Sequence, residues 1–363
     1  MNRRHILIGG GSLIALGTGA TVAAAARMGS AADYADATKA MRAVLSAQPE
    51  ARELVRYATL APNGHNTQPW RFELAPGRIV IHADFTRRTP VVDPDDHHLF
   101  VSLGCAAENL ALAAAARGHR GDPTFEDAGN GAIVFAHRPA PNEASTLFDA
   151  IPVRQSTRAE YDGRAVGPAD LKSLAQAAKH PGVDLVLIAD RPMMDRVRDL
   201  VVAGNSVQMG DPAFLRELKS WLRFNPRQAR RTNDGLYSVA TGNPALPDWL
   251  GQRAFDWLAT ARSENDKYAR QIRSSAGVAV FVGESDSRAG WVAVGRACQR
   301  FALQATALGL KHAFVNQPVE VPALRPELAA LIGMQGRRPD LVMRFGYGPL
   351  LPYAPRRPVA ELI

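Results

Sequence analysis

The chain has 363 residues, 46% of them apolar and 21% charged, enough to bury one large core or two fused units. Its formal charge of +8 comes from basic residues interspersed with acids, without the basic and aromatic stripe of RNA- or single-strand-binding surfaces, which argues against nucleic acid as a partner. Cys105 and Cys298 are the only cysteines, too few for a thiolate zinc site or a multi-bridge scaffold; two small buried hydrophobes are expected, with export permitting one bridge.

In chain order, Asn2-Arg3-Arg4-His5-Ile6-Leu7 leads into a Gly/Ala-rich apolar run that ends at Ala26, with small residues through Ala32. A twin arginine before a weakly hydrophobic stretch reads as a Tat-type export signal over 1–32. The run is also long enough to span a bilayer, which takes about 20 residues. Gly9, Gly10, Gly11, Gly17 and Gly19 lower its hydrophobicity and helix propensity and favour the signal. Cleavage or retention as an anchor stays open, and the expected location is periplasmic or membrane-anchored outside the cytoplasm, with the Tat translocase as the partner during export.

Residues 35–60 read as helical, ended by the turn formers Pro62, Asn63 and Gly64. Trp70–Leu74 and Ile79–Ala83 flank Pro76-Gly77 as a strand pair. Asp93-Pro94-Asp95-Asp96-His97-His98 invites a metal, but adjacent histidines cannot both face one ion on a regular helix, and helix capping is the expectation. A helix over 99–117 and a strand over 132–136 follow. Later come a helix over 171–178 and strands over 183–189, 278–282 and 341–345, so the architecture is layered α+β. The segment 190–273 reads as a helical insertion, a lid in character, and its basic run from Arg216 to Arg231 as a solvated helix or lid surface.

The stretch Leu103–Gly118 aligns without gaps on Val294–Gly309, glycines matching at both ends. This internal repeat divides the chain into a first half, 33–150, and a second, 151–363, with two alanine-rich helices packed on each other.

Two motifs carry chemistry, each occurring once. Ala61-Pro62-Asn63-Gly64-His65-Asn66-Thr67-Gln68-Pro69-Trp70 offers amide donors and acceptors at Asn63 and Asn66 and close backbone approach at Gly64. In Arg154-Gln155-Ser156-Thr157-Arg158, the two-residue spacing puts Arg154, Ser156 and Arg158 on one side of an extended segment. Guanidinium forks with a hydroxyl suit a phosphate.

Together the motifs resemble the nitroreductase family of FMN flavoproteins, whose homodimers build each flavin site between subunits. Here both lie on one chain, similar to the single-chain Acg-like group, and the resemblance implies a nitroreductase-like α+β fold of two fused repeats, an intramolecular pseudo-dimer with central mixed or antiparallel sheets flanked by helices. It implies that Arg154 and Arg158 contact phosphate or the flavin edge, Ser156 phosphate or ribityl, and that Gln155 lies along the flavin. Arg356 or Arg357 would complete the phosphate pocket. Pro62, Asn63, Gly64 and Asn66 would reach the ribityl and ring, and Asn316 or Gln317 would donate to flavin N5 or O4. Gln271 and Lys267 are candidates for the C2=O edge. His65 reads as a loop residue and Gln68-Pro69-Trp70 as structure. Residues 34–54 offer only Arg42 and Arg52, and Val201–Ser206 falls where a second loop would stand without matching it, so one FMN per chain is expected.

The implied function is an FMN-dependent oxidoreductase reducing quinone, nitroaromatic or similar electrophilic acceptors through flavin N5, with no catalytic side chain. The donor is NAD(P)H or a quinol, and the chain itself is a monomer. The alternative is an FMN-holding protein with little turnover.

Overall fold

The computed structural model describes residues 28–363; the twin-arginine run and the apolar stretch after it lie outside the described residues. Helices α1 (Ala31–Met41) and α2 (Ala51–Ala58) precede the first sheet, built of β1 (Trp70–Ala75), β2 (Arg78–Ala83), β3 (Thr124–Glu126) and β4 (Ala132–Ala136), with α3 (His97–Ala115) between β2 and β3. Helix α4 (Pro168–Ala177) leads into the second sheet, of β5 (Val183–Ile188), β6 (Gly277–Gly283), β7 (Lys311–Phe314) and β8 (Pro339–Gly346). Five helices separate β5 from β6: α5 (Arg191–Met209), α6 (Pro212–Ser220), α7 (Pro226–Thr232), α8 (Asp248–Leu258) and α9 (Ala261–Arg273). Helix α10 (Arg288–Ala307) follows β6.

The sheets run β1-β2-β4-β3 and β5-β6-β8-β7, with every neighbour antiparallel. The second sheet therefore repeats the strand order of the first, and in each half a long helix follows the second strand. This is the α+β pair of fused halves that the sequence implied, with the mixed-or-antiparallel choice settled as antiparallel. Where Pro76-Gly77 turns directly from β1 to β2, the second half inserts α5 to α9.

Alternation along β6 explains its apolar run. Ala279 and Phe281 join the central core with α3 and α10, while Val278, Val280 and Val282 join a second core with Met194, Val197 and Val201 of α5. In β1, Trp70 and Phe72 are buried whereas Arg71 and Glu73 are exposed, so the first sheet keeps one face to solvent.

The helix pair lies between the sheets. A Cβ on Gly104 would stand 2.1 Å from the Val292 carbonyl oxygen, and one on Gly295 2.0 Å from that of Val101. The repeat register pairs Gly104 with Gly295 and Val101 with Val292, so these are one contact seen from either helix. The polar pairs obey the same register: Gln299 donates to Asn109 at 2.6 Å, and its mate, Arg300 to Glu108, closes at 2.8 Å.

One expectation changes. The helix over 35–60 is broken: α1 ends at Met41 and α2 starts only at Ala51, just after Pro49, which lacks an N–H and keeps Gln48 out of the helical region. Val201–Ser206 lies inside α5 and forms no loop. The edge strands β3 and β7, too short to pattern, were not anticipated. The second half also returns to the first, as Phe72 N donates to Leu362 O at 2.6 Å on the edge of β1.

Candidate cofactor and substrate site

The loop before β1 holds His65, Asn66 and Gln68 at φ of 46°, 55° and 54°, a left-handed run that needs external support. Asn63 Oδ1 accepts from Gln68 N at 2.8 Å, and the Gln68 amide donates to Asn233 O and accepts from Arg357 N, both at 2.8 Å. Asn66 donates to Gly235 O and Pro355 O at 3.1 Å and accepts from Arg356 at 2.6 Å. The insertion and the C-terminal tail thus clamp the loop from both sides.

The other motif runs extended along the edge of β7. Ser156 bridges to His312, and Thr157 N donates to His312 O at 2.8 Å. Pro62, Asn63, Gly64 and His65 then share with Arg158, Asn316 and Gln317 the wall of one cavity of about 410 Å³. A Cβ on Gly64 would meet nothing within 4 Å, so glycine there adds open space. Phe214, Phe224, Leu246 and Phe255 of the insertion roof the cavity, and Lys267 and Tyr268 of α9 close its side.

Beneath the loop three buried guanidinium groups gather. Arg154 donates to Leu60 O at 2.8 Å, while its Nε and Nη1 have no partner. Arg356 wraps the carbonyls of Thr59, Leu60 and Ala61, and Arg42 those of Pro152 and Arg154. Among the described residues none of the three meets a carboxylate. Burial pushes Arg154 down to about 10; burial and repulsion from Arg154 push Arg42 down to about 9; burial, Arg42 and Arg154 push Arg356 well below its usual value. Both ring nitrogens of buried His312, beside this group, are also unpartnered. Such a concentration of desolvated donors suits an anion.

The structure gives several of these residues other contacts. Gln155 accepts from Leu351 N at 3.0 Å and donates to Leu351 O at 2.8 Å, so its amide fixes the tail and is spent. The Asn66 amide, with three partners, is turned away from the cavity. Gln271 lies off the cavity and donates to Arg158 O at 2.7 Å, which makes it a support for Arg158. Arg357 faces Asp84 at 3.9 Å and Glu361 at 3.8 Å, so Arg356 is the member of the pair beside Arg154. Asn316 Oδ1 accepts from Val342 N at 2.9 Å, whereas Gln317 Oε1 has no partner. Lys267 pairs with Glu264 at 3.5 Å.

Asp93 caps α3, its two oxygens accepting from His98 N and Leu99 N at 3.0 Å. His97 Nε2 meets Asp340 at 2.8 Å, and one ligand atom each of Asp93, His97 and His98 lies within 4.8 Å of the others. Cys105 and Cys298 are buried and unbridged.

The sequence reading missed His98 and Glu320, which face each other on the cavity at 3.6 Å. Burial lowers His98 to about 3 and raises the Glu320 carboxyl, whose other oxygen accepts from Gln208 at 2.7 Å. Burial and Arg158 likewise lower His65 to about 4. No local pattern announces this pair, since His98 and Glu320 come from opposite halves.

No family model matches the chain. Two fused antiparallel halves about a crossed helix pair, with an arginine segment and an asparagine loop meeting between them, define a nitroreductase-like α+β protein. Within that class the chain is a distant homologue of provisionally named NAD(P)H nitroreductases of Mycobacterium tuberculosis strain H37Rv. One is 26% identical, covering 86% of this chain and 90% of its own. Another, Acg, is 25% identical, covering 86% and 94%. Among solved structures, a provisionally named nitroreductase of Anabaena variabilis is 12% identical, covers 86% of this chain and 91% of its own, and has a TM-score of 0.48. The FMN-dependent nitroreductase NfnB of Mycobacterium smegmatis, solved with NADPH, is 14% identical over 60% of this chain and 96% of its own, with a TM-score of 0.39.

Proposed function

We propose that this protein is an FMN-dependent oxidoreductase that draws electrons from NAD(P)H or a quinol and passes them to a quinone, nitroaromatic or similar electrophilic acceptor. The observation that carries the reading is the meeting of the two motifs at one cavity, through Pro62, Asn63, Gly64 and His65 on one side and Arg158 on the other, with Arg154 of the same motif, outside the cavity lining, keeping two buried nitrogens without a partner. The residues present fit the cofactor: Arg154, with two unused nitrogens, would hold its phosphate beside Arg356, whose own nitrogens are taken by carbonyls and by Asn66, while Arg158, Asn63, Gly64 and Gln317 would face its ring. Bound FMN would supply two-electron transfer between donor and acceptor.

The chain's own contribution is electrostatic and steric. Arg158, held by Gln271, keeps a cation against the cavity, where low dielectric strengthens its pull on developing negative charge. Phe214, Phe224 and Phe255 exclude water from the opposite wall. His65 and His98, lowered by burial to about 4 and about 3, are neutral near pH 7 and offer no cationic proton, and burial raises the Glu320 carboxyl at the same wall.

Purified full-length protein tests the reading by its visible spectrum and flavin content. One FMN per chain, bleached by NAD(P)H or a quinol and recoloured by menadione or a nitroaromatic, is the expected result. A chain that neither carries FMN nor takes it up on titration sinks the proposal. The roof of aromatic side chains favours a second reading, FMN holding, and flavin that stays bound while no donor bleaches it would select that instead.

A further inference from the structure

The roof of the cavity carries a second face with no partner among the described residues. Helix α8 turns Gly251, Ala254, Phe255 and Leu258 toward the cavity, the i, i+3, i+4, i+7 spacing of one helical face. Trp249, Arg253 and Trp257 follow at i, i+4 and i+8 on another. The two tryptophans are 62% and 73% exposed and Leu258 70%, and the Arg253 guanidinium stacks 5.8 Å from the Trp249 ring centroid. An indole left in water forgoes the burial of roughly 200 Å². The same side chain is favoured at a lipid–water boundary, where its ring meets acyl chains and its N–H stays hydrated.

We propose that α8 lies in the interfacial layer of an anionic lipid bilayer, with the cavity opening beside the lipid through Leu258. Charge complementarity supports this occupant. Arg253 sits between the tryptophans, Arg216 and Arg262 are exposed on the neighbouring helices, Asp256 is neutralised by Lys219 at 2.7 Å, and the chain carries +8 overall. The path of the chain supports it independently. Gly29 packs on the backbone of Arg227 in α7, where a Cβ would be 2.9 Å from the Arg227 nitrogen. Asn225, which caps α7, bonds the Asp248 carboxylate at the start of α8. The described chain therefore begins against the insertion that bears the tryptophans, with the apolar stretch from Ile6 to Ala26 preceding it in sequence. The docking stands without the flavin reading; only its consequence, access for lipid-soluble acceptors, rests on that reading.

Quenching by bromines on lipid acyl chains tests the proposal without flavin or turnover, so its failure leaves the cofactor reading untouched. Residues 1–27 hold no tryptophan, and Trp70, Trp221 and Trp291 are buried or half-buried in the fold, so quenching reports on α8 even if the N-terminal stretch inserts. The full chain is mixed with brominated phosphatidylglycerol vesicles or brominated phosphatidylcholine vesicles. Strong quenching in the first, weak quenching in the second, its loss in the W249F/W257F variant, and a roughly tenfold or greater weakening in R253E are expected. Absent quenching overturns the proposal, as does equal quenching in W249F/W257F or in neutral vesicles. A concentration-dependent dimer that W249F/W257F abolishes, with no quenching, would identify a second copy of the chain as the occupant and overturn it too.

Discussion

Arg42, Arg154 and Arg356 bind carbonyls, one amide and a ring face, and among the described residues no carboxylate balances them. Arg154 Nε and Nη1 are buried without a partner, so truncation of Arg154 should remove the most favourable contact to an anionic cofactor tail. On the cofactor reading, Arg154→Ala is expected to weaken FMN binding by about a hundredfold, from the loss of two charge-assisted hydrogen bonds, while Arg357→Ala changes it less than about threefold. Titration of flavin fluorescence with the two variants checks the contrast.

A pH dependence also belongs to single residues. Burial lowers His65 to about 4, His97 and His98 to about 3, and His312 well below its usual value, whereas burial raises Asp93 and Asp340 to about 6 and Glu320 by direction. Between pH 6.5 and 4 the unfolded chain protonates these four imidazoles and that of His137, which burial also lowers, while the folded chain holds them more neutral. The carboxyls of Asp93, Asp340, Glu320 and Asp96, all raised by burial, bind protons in the folded state first and oppose this. The five imidazoles outnumber the four carboxyls, so unfolding takes up protons and stability falls on acidification. A net proton is worth about 1.4 kcal/mol per pH unit, and the Tm is expected to drop by roughly 2 °C or more per unit across that window. A Tm that rises from pH 6.5 to 4 would contradict the assignment.

At the scale of elements, the crossing of α3 and α10 admits no side chain at Gly104 or Gly295, where the obstruction is backbone that cannot rotate away. Gly104→Val and Gly295→Val should each cost more than about 3 kcal/mol, the upper range for overpacking, and by the repeat register the two should be alike. Gly64→Ala meets open space and should cost less than about 1 kcal/mol while narrowing the cavity. Asp93→Ala, which uncaps α3, is expected to cost about 1 kcal/mol. Urea unfolding of the four variants gives the ranking; a large difference between the two helix glycines would sink the symmetry argument.

Over the whole molecule, both halves contribute to one central core, and the tail beyond β8 is tied to Gln155, to Asn66 and Gln68 in the loop, and to Phe72. The halves should therefore melt together. A single calorimetric transition with matching circular dichroism is expected for the full chain, and removal of residues 349–363 should lower the Tm and loosen the loop before β1. Two resolved transitions would show that each half is a stable unit by itself.

The α+β class, the strands at 70–74, 79–83, 132–136, 183–189, 278–282 and 341–345, and the gapless helix repeat were legible from the chain alone. Each depends on alternation, run length or repetition among neighbours, which local steric and solvation rules impose. The two motifs were legible for the same reason, as compact strings of donors. The fates of Gln155, Asn66, Gln271 and Arg357 were not, because whether a polar side chain faces a cavity or is consumed by a distant carbonyl depends on groups brought near only by folding. His98 with Glu320, and α8 with its outward tryptophans, likewise became meaningful only when the insertion closed over the cavity. Sequence determined which segments form and which can bind an anion; tertiary structure decided which donors remain free, since burial removes water as the alternative partner and forces every polar group to find another or go without.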